Sequence, residues 1–157
     1  MASKYGNNYK AKYITVPETK IPVGEQRGVV RVAYDKFDMA TDGLGVTTSD
    51  TIYMQKIPAG ARVIDAWLKF ADMGTSGVVD IGWQASADGV ETADADGIFS
   101  AIDVQAAADC LLASQDDASP LVVNREFSSE VGVVMVFSTL TTATTGTIEL
   151  TIQYVID

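Results

Sequence analysis

From Gly28 onward, apolar residues recur at every second position, the period of a strand with one face in a core. The cleanest run is Thr147 to Ile156, where Ile148, Leu150, Ile152, Tyr154 and Ile156 fall on one side. Ile64, Ala66, Leu68 and Phe70 define a second apolar face, with Asp65, Trp67 and Lys69 opposite. Val79, Ile81, Trp83 and Ala85 repeat the alternation beyond the turn Gly74-Thr75-Ser76-Gly77, so these two segments read as a hairpin. In Val29 to Asp35, Val30, Val32 and Tyr34 point one way and Arg31 the other. Thr51 to Ile57 is a further strand, followed by a tight reversal at Ile57-Pro58-Ala59-Gly60-Ala61. Pro120 introduces a short strand, Leu121-Val122-Val123. Val131 to Phe137 is almost continuously apolar, as a strand buried on both faces would be.

Two stretches depart from this period. Ser100 followed by Asp103 resembles a capping box with Asp substituted, and Ala106 to Ala108 favour helix, so a short helix is predicted from about Ala101 to Leu112. Before Glu25 there is no sustained periodicity, and Gly6, Asn7, Asn8, Pro17, Pro22 and Gly24 punctuate the chain. Residues 1–27 therefore read as an extended N-terminal arm and residues 28–157 as one domain. Seven or eight short strands with turn signals between them predict a mainly β fold. The expected architecture is a β-sandwich, with a jelly roll as the candidate topology, carrying one short helix in a connection.

Composition supports a core of ordinary size. The chain has 157 residues, 47% of them hydrophobic and 20% charged, enough to bury a core without metal or disulfide support. Cys110 is the single cysteine, with no basic residue beside it, and reads as a buried, inert thiol. No run approaches the roughly 20 apolar residues of a membrane-spanning helix. The first eight residues lack the apolar core of a signal peptide, so a reducing compartment is the expected location.

The net charge of −10 is unevenly spread. Residues 1–27 hold five basic and two acidic groups, a net of +3, whereas the remainder holds six basic and nineteen acidic, a net of −13. An acidic body repels nucleic acid and anionic membranes, so neither is expected as a partner. A basic arm can dock on an acidic protein neighbour, another copy of the chain included, or remain a solvated tail. Tyr5, Tyr9 and Tyr13 stand four apart, but Gly6-Asn7-Asn8 opposes a helix there. With Lys10 and Lys12, these tyrosines suit burial against a partner surface.

Little catalytic chemistry is available. The chain has no histidine, which removes Ser-His and Cys-His pairs, His-ligated zinc and the commonest general base. No phosphate-cradling glycine motif is present, and no cofactor is expected. A carboxylate hydrolase would need two acids held about 5–10 Å apart in a cleft, and no pair among the twenty-one acids stands out. Residues 86–97 read as an acidic loop, and Asp94-x-Asp96-Gly97 sits like part of a calcium loop, with Asp103 near its last position. Thr92 stands where that pattern needs Asp and Asp103 where it needs Glu, so a solvated loop is preferred over a metal site. Trp67, on the polar face of its strand, marks either a contact surface or burial beneath a loop.

Gln55-Lys56-Ile57-Pro58-Ala59-Gly60-Ala61-Arg62-Val63-Ile64-Asp65-Ala66-Trp67-Leu68, with Val79-Asp80-Ile81-Gly82-Trp83 after the glycine turn, resembles a strand–turn–strand module of tailed-phage virion proteins. The likeness is to the small capsid decoration, or cement, proteins. It extends as a pattern over residues 28–157 and as a motif over about 30 of them. It implies a non-enzymatic virion protein, assembled in the host cytoplasm, that binds the major capsid protein and forms a homotrimer. A carbohydrate-binding or adhesin β-sandwich is the competing reading, with Trp67 as a sugar platform.

Overall fold

Among the described residues the chain forms nine strands in two antiparallel sheets. The structure is a computed structural model and describes residues 29–41, 48, 50–71, 77–104, 110–113, 122–139 and 145–156. The strands are β1 (Arg31–Asp38), β2 (Thr51–Ile57), β3 (Ala61–Phe70), β4 (Val78–Trp83), β5 (Asp94–Asp103), β6 (Cys110–Leu112), β7 (Glu126–Phe127), β8 (Val131–Thr139) and β9 (Thr147–Ile156). Sheet one has the order β1-β9-β3-β6, with β7 also paired to β3, and sheet two the order β2-β8-β4-β5. The β-sandwich read from the pattern is the observed architecture.

The core lies between the sheets, and the register of sheet one shows how it is built. Residues directly opposite in an antiparallel ladder share a face. Phe37, Ile148 and Phe70 form one inward row, and Ala33, Ile152 and Ala66 another. Val79, Ile81 and Trp83 from β4, with Val133, Met135 and Phe137 from β8, meet them from sheet two. β9 lies between β1 and β3, which explains its clean alternation. β8 lies between β2 and β4, and even its outward Val134 is buried, directly opposite Tyr53 of β2.

Several expectations need correction. Val30, Val32 and Tyr34 do share a face, but it is the outer one, where each is about half exposed. Phe37, one residue out of that phase, carries the inward contact of β1. Ile64 does not join the core either. A bulge between Val63 and Asp65 shifts the β3–β9 register, so Val63 turns inward and Ile64 is left 38% exposed. β3 and β4 are not a hairpin, because they belong to different sheets and face each other across the core. Two strands with fully apolar inner faces gain more from opposing burial than from pairing edge to edge.

The helix expected from Ala101 to Leu112 is strand at both described ends. Ile102 and Asp103 pair with Val79 and Val78, and Cys110 to Leu112 pair with β3. The residues between, including Ala106 to Ala108, lie outside the described residues. At those two ends, ladder pairing with β4 and β3 overrides what is a weak local preference. Val122 and Val123 form a turn rather than a strand: Arg125 N–H donates to Val122 O at 3.0 Å, and Asn124 N–H to Val63 O at 2.8 Å. The reversal at Pro58 to Ala61 is present, with Ala61 N–H donating to Pro58 O at 3.2 Å and Gly60 at φ 74°. A type II turn needs that positive φ at its third residue, which glycine alone supplies without strain.

Candidate interaction face

Trp67 is set by its phase on β3. Ala66 and Leu68 point into the core, so Trp67 projects from the outer face of sheet one, where it is partly exposed. Thr151 lies opposite it on β9, Tyr34 opposite Thr151 on β1, and Leu112 opposite Trp67 on β6. One row across four strands thus reads Tyr34, Thr151, Trp67, Leu112. The row on one side is Lys36, Glu149, Lys69, and on the other Val32, Gln153, Asp65. The face pairs an aromatic and aliphatic band with a charged border.

Across the two flanking rows the charges balance, Lys36 and Lys69 against Glu149 and Asp65. Glu149 lies between the two lysines of its row, its Oε2 3.9 Å from Lys69 Nζ. Partial desolvation, then the Glu149 carboxylate, raises the Tyr34 phenol above its ordinary pKa. Tyr34 therefore stays protonated, a neutral aromatic with a donor at its tip. Of the residues singled out from the sequence for partner binding, Trp67 is the one placed here. Tyr5, Tyr9, Lys10, Lys12 and Tyr13 lie outside the described residues.

The acidic segment is organised differently from its reading as one loop. Residues 94–103 are strand β5, so the loop proper ends before Asp94. Asp94 lies opposite Trp83 and Asp103 opposite Val78, so the two ends of β5 stand about 17 Å apart, the strand rise from Val78 to Trp83. Asp94 and Asp96 do meet. Burial, then the neighbouring Asp96, pushes the Asp94 carboxyl above its usual range, while Ser100 Oγ donates to Asp96 at 3.2 Å. Asp103 cannot join them, and no group of three potential ligands is close enough to hold a metal among the described residues.

A buried polar cluster closes one end of the sandwich, and sequence reading missed it. Glu91 is buried and accepts from Arg125 Nη2 at 2.8 Å and from Ser128 N–H at 2.7 Å. The Arg125 guanidinium lies 4.6 Å from the Trp83 ring and 5.1 Å from that of Phe127, and the two rings meet edge to face. Trp83 Nε1–H donates to Thr92 O at 3.0 Å, so the core role expected for Trp83 holds. Each such cation–ring contact contributes about 0.5–2 kcal/mol. Asp88 accepts from Ser86 Oγ and Ser129 Oγ, both at 2.5 Å, and from Val90 N–H at 3.1 Å. The Ser129 bond above all, then Ser86, lowers Asp88 to about 2. The bonds that tie this segment to Arg125, Ser128 and Ser129 span 34–41 residues of sequence, so no local motif announces them.

Fold and face together define an all-β sandwich with a partly exposed aromatic row on the outer face of sheet one. No family model matches the sequence, and no curated protein matches it. Solved structures do match its fold. A chain of the cyanophage Pam1 capsid asymmetric unit is similar over 83% of this chain and 86% of its own, at 20% identity and TM-score 0.62. A chain of the Ralstonia phage GP4 capsid is similar over 88% and 92%, at 20% identity and TM-score 0.64. One from the acid-stable capsid of the Helicobacter pylori bacteriophage KHP30 covers 82% and 88%, at 14% identity and TM-score 0.51. At these identities the shared property is the fold.

Proposed function

We propose that the chain is a non-enzymatic structural protein of a phage particle, a capsid decoration protein that binds the major capsid protein. The observation that carries this is the fold itself, matched over more than four-fifths of the chain by chains from phage capsids. The order β1-β9-β3-β6 facing β2-β8-β4-β5 supports a jelly-roll reading of the sandwich. The outer face of sheet one supports a protein partner, because its aromatic row is partly exposed and its charges balance. The basic arm, residues 1–27, supplies a second contact through Tyr5, Tyr9, Lys10, Lys12 and Tyr13, reaching an acidic neighbour. The assembled form is a homotrimer on the virion surface, put together in the host cytoplasm. Neither nucleic acid nor membrane is a partner of a body with net charge −13.

Co-sedimentation with capsids lacking the protein, alongside light scattering of the free protein, tests this reading. Trp67→Ala is expected to weaken attachment by about tenfold or more, as loss of a central aromatic contact does, while leaving the fold intact. Deleting residues 1–24 is expected to weaken attachment or oligomerisation, most at low salt where the charge term is strongest. If both variants attach and assemble like the full chain, neither surface is the contact.

A further inference from the structure

On the outer face of sheet two, beside a bulge between Tyr53 and Gln55, Tyr53 is 66% exposed. The ring lies over Gly132, whose missing Cβ would stand 4.0 Å from it, and its hydroxyl accepts from Gln84 Nε2 at 3.0 Å. A cavity of about 580 Å³ opens beside it, bounded by Tyr53, Gln84, Lys56 and Glu130 over the Gly132 floor. A smaller one of about 170 Å³ adjoins it through Ala87 and Glu130 and adds Asp88 and Ser129. The two form one elongated groove. Hydrogen bonds to Asp88 hold one end of it, and an exposed Lys56–Glu130 ion pair at 2.6 Å lies along its rim.

The geometry points to a saccharide-binding site, one that takes a short neutral oligosaccharide. The larger cavity falls in the range of small-molecule sites, roughly 300–1,000 Å³. An exposed tyrosine offers a flat apolar ring to the C–H face of a pyranose. Amide, ammonium, carboxylate and hydroxyl groups around it supply donors and acceptors for neighbouring sugar hydroxyls. Lys56 and Glu130 pair with each other and Asp88 adds a negative charge, so the groove favours an uncharged polyol over an anion. Gly132, Ala85 and Ala87 leave room that larger side chains would fill. Trp67 is on the other sheet and takes no part.

The test is titration of the isotope-labelled full-length chain, followed by amide and side-chain NMR shifts, with cellotriose, chitotriose and maltotriose. Each is taken to about 10 mM, which detects millimolar binding. At least one is expected to give saturable shifts confined to Tyr53, Gln84, Ser129 and Gly132. Tyr53→Ala should weaken that response by about tenfold or more, the loss of roughly 1.4 kcal/mol. Gly132→Leu, which fills the floor from the solvent side, should do the same in a chain whose spectrum stays dispersed. No response to any of the three sugars overturns the proposal, as do shifts that survive both substitutions. Absence of sugar response together with protection of Tyr53 on capsid shells also overturns it, and gives the groove to a protein neighbour.

Discussion

Between β1 and β9 the ladder runs from Arg31 opposite Tyr154 to Asp38 opposite Thr147 without a break, whereas β4 and β5 lose register twice over a shorter distance. β2 and β8 shift once more, between Tyr53 and Gln55. The regular sheet presents its outer residues in aligned rows, so Tyr34, Thr151 and Trp67 share one line. The bulged sheet spends residues on re-aiming groups instead. Ala101, at φ 53°, turns its N–H to the Asp80 carboxylate at 2.7 Å, and the segment after Asp94 arches tightly over Gly82. Regularity builds a flat surface; bulges build pockets and polar ends.

The sharpest way to break this contrast is at Gly82. An added Cβ would stand 2.0 Å from Asp94 O and 2.5 Å from Ala95 C, so β5 must peel away from β4. Gly82→Ala is expected to cost about 3 kcal/mol or more in urea unfolding. Thr151→Ala, on the regular face, is expected to cost about 0.5 kcal/mol. Equal costs would mean that the bulged pairing has slack that the geometry does not show.

A smaller effect is expected at the closed end of the sandwich. Arg125→Met strands the buried Glu91 carboxylate without its cation. A fully buried pair broken this way costs about 3–5 kcal/mol, and the one-third exposure of Arg125 reduces the expectation to about 2 kcal/mol. Adding Glu91→Gln should recover part of that loss in a double-mutant cycle. A purely additive result would show that the two side chains act separately.

The mildest test uses acid. Asp88, lowered to about 2, contributes stability that is present above its unfolded value of roughly 4 and lost as pH falls through about 2. Asp94 is raised, so the folded state takes up its proton more readily, and its contribution improves as pH falls through that raised value. Calorimetry is expected to show Asp88→Asn lowering Tm at pH 7 and flattening the decline between pH 4 and 2, and Asp94→Asn raising Tm at pH 7. An unchanged acid slope in Asp88→Asn would locate the acid sensitivity elsewhere.

What the sequence revealed follows the same division. β9 and β3 were legible because both faces of a central strand in a regular sheet keep their period, apart from the single slip that exposes Ile64. β1 was legible as a strand but not in its orientation, because an edge that carries valines outward has the same period as one that buries them. β6 and β7, at three and two residues, are too short for any periodicity to show. The Glu91–Arg125 cluster was invisible because its partners meet only once the sheets have packed. Trp67 was marked correctly as off the core face, while the groove at Tyr53 depends on a bulge and on a glycine in the neighbouring strand.

The placement of β9 also sets an order of events in time. Residues 147–156 are synthesised after all the other strands, yet they form the ladder that joins β1 to β3. Until they leave the ribosome, the first and third strands have no shared neighbour, and the inward Phe37 and Phe70 lack the Ile148 between them. Sheet one therefore closes only after translation has passed residue 156. A topology so dependent on distant pairing folds slowly, on the scale of milliseconds to seconds. During that interval the apolar edges of β1 and β3 are open to other nascent chains.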